Sequence, residues 1–434
     1  MICIQAGQCG NQLGFCVLDS LYEHLEEHRD LLPYFFRLRQ SGRSQTEPKW
    51  VARCVCIDTE PKVIHECIEH AKLSKKWTFD PNCSVYRHGG AGNNWAMGYQ
   101  LCSGSFRESA LDRIRHELEQ VDISSTLVVM HSLGGGTGSG LGTRITEEIS
   151  DEFSGSSIIN LAVMPYHFGE VVVQHYNSVL SLAKIASSSN GVLLYENEVA
   201  HNLCVSMRGI EQPTLYDVNR SITSSVVPAF IPKRVSSPCC DGISGLLGQD
   251  MAHLCGHPGY RFMDVKNTPQ TSMASVDYTY DSWSAILRAI SRMDSSGSAS
   301  ERGLKQDIFE SGQMRNIAST LTLHGEGAGD AARRLGSADI QFTSSYVSWA
   351  GGISPACTIN YSPISANGYL RSASLISNGQ SVIPTLRRPL LCGANMFKSG
   401  AYVHQYKSCG LEADEFVSAF RSLSQIVENY KNLN

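Results

Sequence analysis

Residues 131–150, "HSLGGGTGSGLGTRITEEIS", carry the densest candidate chemistry in the chain. Six glycines fall within nine positions, Gly134 to Gly142. An apolar run, Thr126–Met130, precedes them, and Leu141, Ile145, Ile149 and Phe153 follow at the four-residue spacing of one helix face. A helix start exposes unpaired N–H groups and a partial positive charge, which suits an anion. Glycines let the backbone approach that anion with no Cβ between them. Thr137 and Ser139 add hydroxyl donors. The reading is a phosphate seat, of neither familiar pattern. Gly135 and Gly140 have the Walker A gap, but Leu141 stands where lysine is required, and no G-x-G-x-x-G register occurs in the run.

Other constellations are weaker. "HLEEH" (His24–His28) has zinc-protease spacing without a third ligand nearby, and reads as a solvated helix end. "HECIEH" (His65–His70) has the wrong gap for one helical face. None of the 15 cysteines forms a CxxC pair, so they read as reduced thiols. A net charge of −5 gives no global basic footprint for nucleic acid or anionic lipid. No apolar run is long enough for a bilayer, and the opening "MICIQAGQCGNQLG" lacks the features of a secretory leader, so a cytoplasmic protein is expected.

The elements that must hold the glycine loop alternate. Ile2–Ile4, Val51–Asp58, Thr126–Met130, Ile158–Met164 and Val192–Tyr195 read as strands. Helices are expected from about Leu13, over Glu108–Val121 and after the glycines. That order predicts a parallel sheet covered on both faces, with ligands at the carboxyl ends of its strands. Asp217–Val227 reads as a helix that Pro228 stops or kinks. A mixed region with Ser/Gly-rich loops, notably Asp294–Glu301, spans about 236–375. The last 50 residues read as helical, with a stripe of Phe416, Phe420, Leu423, Val427 and Tyr430.

"GGGTGSG", "QAGQCGNQLG", "DTEP" (Asp58–Pro61), "GAGNNWAMGY" (Gly90–Tyr99) and "NMFKSGAYVHQY" (Asn395–Tyr406) together resemble the tubulin superfamily, end to end. "EPKVI" and "AYVHQY" look most like its divergent delta/zeta branch. The resemblance implies a Rossmann-like parallel-sheet GTPase domain (1–216), a core helix and connection (217–235), an intermediate α/β domain (236–375) and C-terminal helices (376–434). It implies GTP or GDP with Mg²⁺. Gln8, Cys9, Gln12, Asn93, Ser132, Gly135, Gly136, Thr137 and Gly138 would meet the nucleotide, and Glu60, with Asp58 as the weaker candidate, would hold Mg²⁺. Glu170 matches the ribose-side acid. Asn197 and Asn219 match the guanine-reading asparagines, whose amides can both donate and accept.

Three departures from the family pattern stand out. Leu215 occupies the usual base-stacking aromatic position, with Tyr216 one residue on. Gln249 falls where the family places an acid that orients water on a neighbour's nucleotide, with Asp250 beside it. Asp250 reads equally well as a first-turn carboxylate. The third departure concerns assembly. The chain ends "NYKNLN" without an acidic run, and the lateral-contact stretch "TPQTSMASVDYTY" (Thr268–Tyr280) has no basic residue, so ordinary microtubule packing is not expected. By resemblance the protein would be a specialised subunit or scaffold at centrioles, basal bodies or cilia. Its partners would be other tubulins and centriolar or basal-body proteins, not nucleic acid or membrane. The competing expectation is a microtubule-forming GTPase that hydrolyses GTP across subunit contacts, with Asp250 or Gln249 acting in trans.

Overall fold

The computed structural model describes residues 1–39, 50–121, 126–169, 171–206, 208–235, 243–244, 247–271, 276, 280, 282–301, 314–335, 342, 344–349 and 356–433. The chain forms two compact units, Met1–Val192 with Thr385–Ile426, and Leu193–Pro384 with Val427–Asn434.

In the first unit, β1 (Ile2–Ala6), β4 (Cys54–Asp58), β6 (Ser84–Tyr86), β7 (Thr126–Ser132) and β8 (Ser157–Met164) form a parallel sheet in the order β8-β7-β1-β4-β6. Every residue of β1 and β4 is buried, as expected of strands covered on both faces. The covering helices are α1 (Gly7–Leu25), α2 (Pro61–Ser74), α3 (Trp95–Leu101), α4 (Gly104–Leu118), α5 (Gly142–Glu152) and α6 (Gln174–Ser188). Ile4, Val55 and Val129 of the sheet pack with Ile114 of α4 and with Leu141, Ile145 and Ile149, so the predicted stripe after the glycines is the face α5 buries.

Two local expectations change. Helix α1 begins at Gly7, not near Leu13, because Gly7 at φ +74° turns the chain out of β1 in one residue. Val51–Asp58 is two strands. β3 (Trp50–Ala52) joins β2 (Phe36–Leu38) and β5 (Trp77–Thr78) in a small separate sheet, while β4 enters the main one. Arg53 is the crossing point: its N–H donates to the Phe35 carbonyl at 2.9 Å, and its carbonyl accepts from Cys3 N–H at 3.0 Å.

Past β9 (Gly191–Glu196), the second unit is built on a mixed sheet of β10 (Lys233–Val235), β11 (Ile243–Ser244), β12 (Phe262–Thr268), β13 (Arg315–Gly325), β14 (Ser345–Tyr346), β15 (Cys357–Ser362) and β16 (Arg371–Gly379). Its helices are α7 (Asn197–Ser206), α8 (Leu215–Phe230), α9 (Leu247–Leu254), α10 (Trp283–Ser296) and α11 (Ala328–Arg333). Ile286, Leu287 and Ile290 of α10 pack with Leu321, Leu323 and Leu375 of the sheet.

Pro228 does not stop α8, which runs on to Phe230. Proline removes the N–H that would serve the Ser224 carbonyl four residues back. The Asn367 and Asn267 side-chain amides donate to that carbonyl instead, at 2.7 and 3.2 Å. Helix α10 likewise reaches into the expected loop Asp294–Glu301 and ends on Gly297 at φ +65°. The C-terminal helices are α12 (Ile383–Lys398), α13 (Val403–Lys407) and α14 (Ala413–Lys431), and Phe416, Leu423, Val427 and Tyr430 of α14 are buried as a stripe. No helix among the described residues is long and apolar enough to cross a membrane.

Candidate functional site

Two helix starts meet at the carboxyl edge of the first unit's sheet. One is α1. The other is a π-helical turn, Thr137–Leu141, that leads straight into α5. A Cβ on Gly7 would lie 2.8 Å from the Gly138 nitrogen, so the two backbones are in direct contact. None of α1, the π turn or α5 carries an acidic residue in its first turn. Two positive helix ends pressed together, with no acid in either first turn, make a strong seat for an anion.

The glycines of the run serve different neighbours. A Cβ on Gly136 would sit 2.6 Å from Asn94 N, on Gly140 2.1 Å from Trp95 O, and on Gly142 2.8 Å from His131 Nδ1. These positions are glycine because α3 and β7 leave no room. Gly135 differs: its nearest neighbour would be Asn93 Oδ1 at 3.8 Å, so its face is open. The Ser139 hydroxyl, expected as a ligand donor, is buried and bonds the carbonyls of Gly135 and Gly136.

Around this seat stand the predicted residues of the first unit. Gln8 is exposed and Cys9 and Gln12 are partly buried in the first two turns of α1. Burial pushes the Cys9 thiol up to about 12, so it stays protonated. Ser132 ends β7 and accepts from Gly134 N–H at 3.3 Å. Thr137 meets Thr59 hydroxyl to hydroxyl at 2.8 Å, which ties the end of β4 to the glycine loop. Glu60 is exposed, and a Cβ on Gly90 would lie 3.0 Å from its Oε1. Asp58 is buried, which raises its carboxyl to about 6 against hydrogen bonds from Thr59 and Glu60 N–H. Asn11 Oδ1, also buried, has no hydrogen-bond partner among the described residues. Its Nδ2 donates to the Gly7 and Ile57 carbonyls at 2.9 and 3.3 Å. The donors in this corner are all oxygens, which fits Mg²⁺ rather than a softer metal.

Asn93 adopts φ +54° beside Gly92 at φ +52°. Behind it lies a residue that sequence reasoning missed. Asn177 of α6, fully buried, donates from Nδ2 to the carbonyls of Asn93 and Gly134, both at 2.8 Å. Its Oδ1 accepts from Trp95 N–H at 2.9 Å and from the Tyr406 hydroxyl at 2.6 Å. Ser178 and Ser181 on the same helix donate to Leu133 and Ser139 carbonyls, each at 3.2 Å. Small polar residues inside an otherwise buried helix were the available signal. His131 braces the loop from the other side, 2.9 Å from the Gly138 carbonyl and 2.9 Å from Asn160 Oδ1. Burial holds its ring neutral, with a pKa near 4.

The second unit holds the remaining candidates. Asn197 is the first residue of α7 and is partly buried. Leu215 and Tyr216 open α8 and are both more than half exposed. Thr214 and Asp217 cap that helix reciprocally. Asn219, 7% exposed, has no side-chain hydrogen bond among the described residues. Asp250 of α9 is ion-paired with Lys233, which is nearly fully buried, while Gln249 is exposed. Glu170 lies outside the described residues, as does much of Thr268–Tyr280.

The zinc-like histidines do not assemble: His24 Nδ1 sits 2.6 Å from the Ser20 carbonyl at the end of α1. Among the described residues, Asp80, Cys83 and Glu117 bring metal-type donors within 4.8 Å of one another. The Arg37 guanidinium pairs with both carboxylates, so that cluster already has its cation.

With this geometry in place, comparison with known proteins is decisive. Residues 1–205 match the Tubulin/FtsZ family, GTPase domain. The whole chain is 31% identical to the tubulin delta chain of Mus musculus, covering 99% of it, and 32% identical to that of Canis lupus familiaris, covering all of it. Against the tubulin beta-1 chain of Homo sapiens it is 26% identical over 99% of its length, covering 92% of that protein. The chain belongs to the tubulin family. The parallel sheet of its first unit is the family's GTPase domain, whose ligand is GTP or GDP. Its likeness is greater to the delta chains than to that beta chain, in line with the branch that "EPKVI" and "AYVHQY" resemble.

Proposed function

We propose that this tubulin-family chain is a specialised cytoskeletal subunit or scaffold that holds a guanine nucleotide at centrioles, basal bodies or cilia. The observation that carries the nucleotide half of this reading is the junction of two helix starts at Gly7 and Gly138, neither with an acid in its first turn, with Gly135 left open beside it. Gly135, Gly136, Thr137 and Gly138 supply the phosphate cradle. Gln8, Cys9, Gln12, Asn93 and Ser132 line it, and Glu170 contacts the ribose. Asn197 and Asn219 read guanine; an almost buried amide without an internal partner, as at Asn219, suits that role. Leu215, being aliphatic, gives weaker stacking. Glu60, with Asp58 behind it, holds Mg²⁺, which supplies charge neutralisation at the phosphates. Partners are other tubulins and centriolar or basal-body proteins.

The Lys233 ion pair favours the scaffold over the alternative, a microtubule-forming GTPase hydrolysing in trans. A carboxylate committed to a buried lysine is not free to orient water on a neighbour's nucleotide. The test has two steps. Protein purified in Mg²⁺ is denatured and the released nucleotide identified, with GTP or GDP expected. It is then mixed with labelled GTP and alpha/beta tubulin. Retention without polymer growth supports the scaffold; copolymerisation with turnover supports the GTPase; absence of any released nucleotide overturns both.

A further inference from the structure

We infer that Asn177 is the positioning residue that sets the gap between Asn93 and the open face of Gly135, and so controls how well the chain distinguishes a nucleoside triphosphate from a diphosphate. The inference rests on the nucleotide-binding reading above, in which Asn93 lies by the terminal phosphate.

A carboxamide has two donor and two acceptor positions, and Asn177 uses all four. Its two N–H groups hold the Asn93 carbonyl and the Gly134 carbonyl at equal distances of 2.8 Å. These carbonyls belong to the two loops on either side of the mouth. Its oxygen is fixed in turn by Trp95 N–H at 2.9 Å and by the Tyr406 hydroxyl at 2.6 Å, so the amide can neither flip nor swing. The part of Asn93 that faces the mouth is its side chain, 3.8 Å from where a Gly135 Cβ would be. Asn93 occupies the left-handed backbone region, which asparagine tolerates better than most residues, and the Asn177 bond to its carbonyl fixes the loop in that conformation. Other side chains fail in that role. Aspartate would present oxygen to two carbonyls, serine has one donor, and leucine has none. Because Asn177 is fully buried, it acts through Asn93 and Gly134 and never on the ligand itself.

The position of Tyr406 makes the inference testable without disturbing the core. Its ring packs edge-on against Tyr176 and Phe416, at 5.5 and 5.2 Å between centroids, and those contacts survive removal of the hydroxyl.

The experiment measures binding of fluorescently labelled GTP and GDP to the full chain in Mg²⁺, with a thermal melt of each variant in parallel. Asn177→Asp is expected to lower the GTP-to-GDP affinity ratio by about tenfold. Tyr406→Phe is expected to lower the same ratio by about threefold with little change in melting temperature. A merely structural role would lower the melting temperature and weaken both nucleotides alike, leaving the ratio fixed. If Asn177→Asp does not fold, Tyr406→Phe decides alone. An unchanged ratio in folded variants that still bind GDP overturns the inference. A wild-type chain that binds neither nucleotide overturns the reading beneath it, which is a separate result.

Discussion

The hydroxyls of Thr59 and Thr137 lie 2.8 Å apart, joining the end of β4 to the first turn after the glycines. The exposed carboxylate of Glu60 is therefore held one residue from the phosphate cradle, with nothing structural depending on it. Glu60→Gln should leave the melting temperature of nucleotide-free protein unchanged. It should also shrink the difference in nucleotide release rate between Mg²⁺ and EDTA, from about tenfold or more to near unity. Stopped-flow release of labelled GDP reads this directly, and a variant as Mg²⁺-sensitive as wild type would remove Glu60 from the metal site.

The glycines make a contrasting pair. Gly136→Ala drives a methyl to 2.6 Å from Asn94 N and 2.8 Å from Ala91 O, and overpacking of that kind costs about 1–3 kcal/mol. Gly135→Ala meets no atom within 3.8 Å, so the fold should keep its full stability while the methyl intrudes on the ligand and weakens binding. Thermal melts and nucleotide titrations of both variants check the pair. Equal destabilisation by the two would contradict the assignment of Gly135 as the open face.

His131 gives the pH dependence. Its ring falls from an ordinary value of 6.5 to about 4 on burial, so between those values the unfolded chain binds a proton that the folded one refuses. Stability from this group is complete above pH 6.5 and is lost as pH falls towards 4, by up to about 3 kcal/mol. His131→Gln should be less stable than wild type at pH 7, with the gap narrowing towards pH 4. Urea unfolding at four or five pH values measures it, and a constant gap would show that the ring does not carry the effect.

In the second unit, Lys266 is fully buried between Asp264 and Asp294, at 2.6 and 3.3 Å. Burial acts to lower its pKa, but the two carboxylates outweigh it and hold the ammonium charged. Lys266→Met should cost about 3–5 kcal/mol, because it takes the cation from a buried Asp294 and a part-buried Asp264. A loss under about 1 kcal/mol in chemical denaturation would mean that the acids find water or protons instead.

Much of this was legible in the residues. Alternating apolar runs gave the strands of the first unit, and the four-residue spacing of Leu141, Ile145 and Ile149 gave the buried face of α5. Three things were not. Gly7 reads as a turn residue, yet it starts a helix, because the contact that demands it is Gly138, 131 residues away. Val51–Asp58 is apolar except for Arg53 and the closing Asp58, and a single arginine within a strand-like run does not by itself mark the point where the chain changes sheets. Pro228 carries its usual warning against helix, and what cancels it is a pair of asparagines distant in sequence. For Asn177 the polar residues of a buried helix were a signal, but its role was not legible, because its partners are backbone carbonyls 84 and 43 residues away. The order of apolar and polar residues encodes the periodic part of a fold, whereas these residues answer to neighbours that only the finished tertiary structure supplies.

The crowding around Gly136, Gly140 and Gly142 has an evolutionary corollary. Selection for folding alone would preserve those glycines, so a descendant that had abandoned its ligand would still display most of the signature. Vestigial and working members of such a lineage would differ first at the unconstrained position, Gly135, and at the asparagine across from it. Surveys that diagnose activity from the glycine-rich string as a whole would count both kinds as alive.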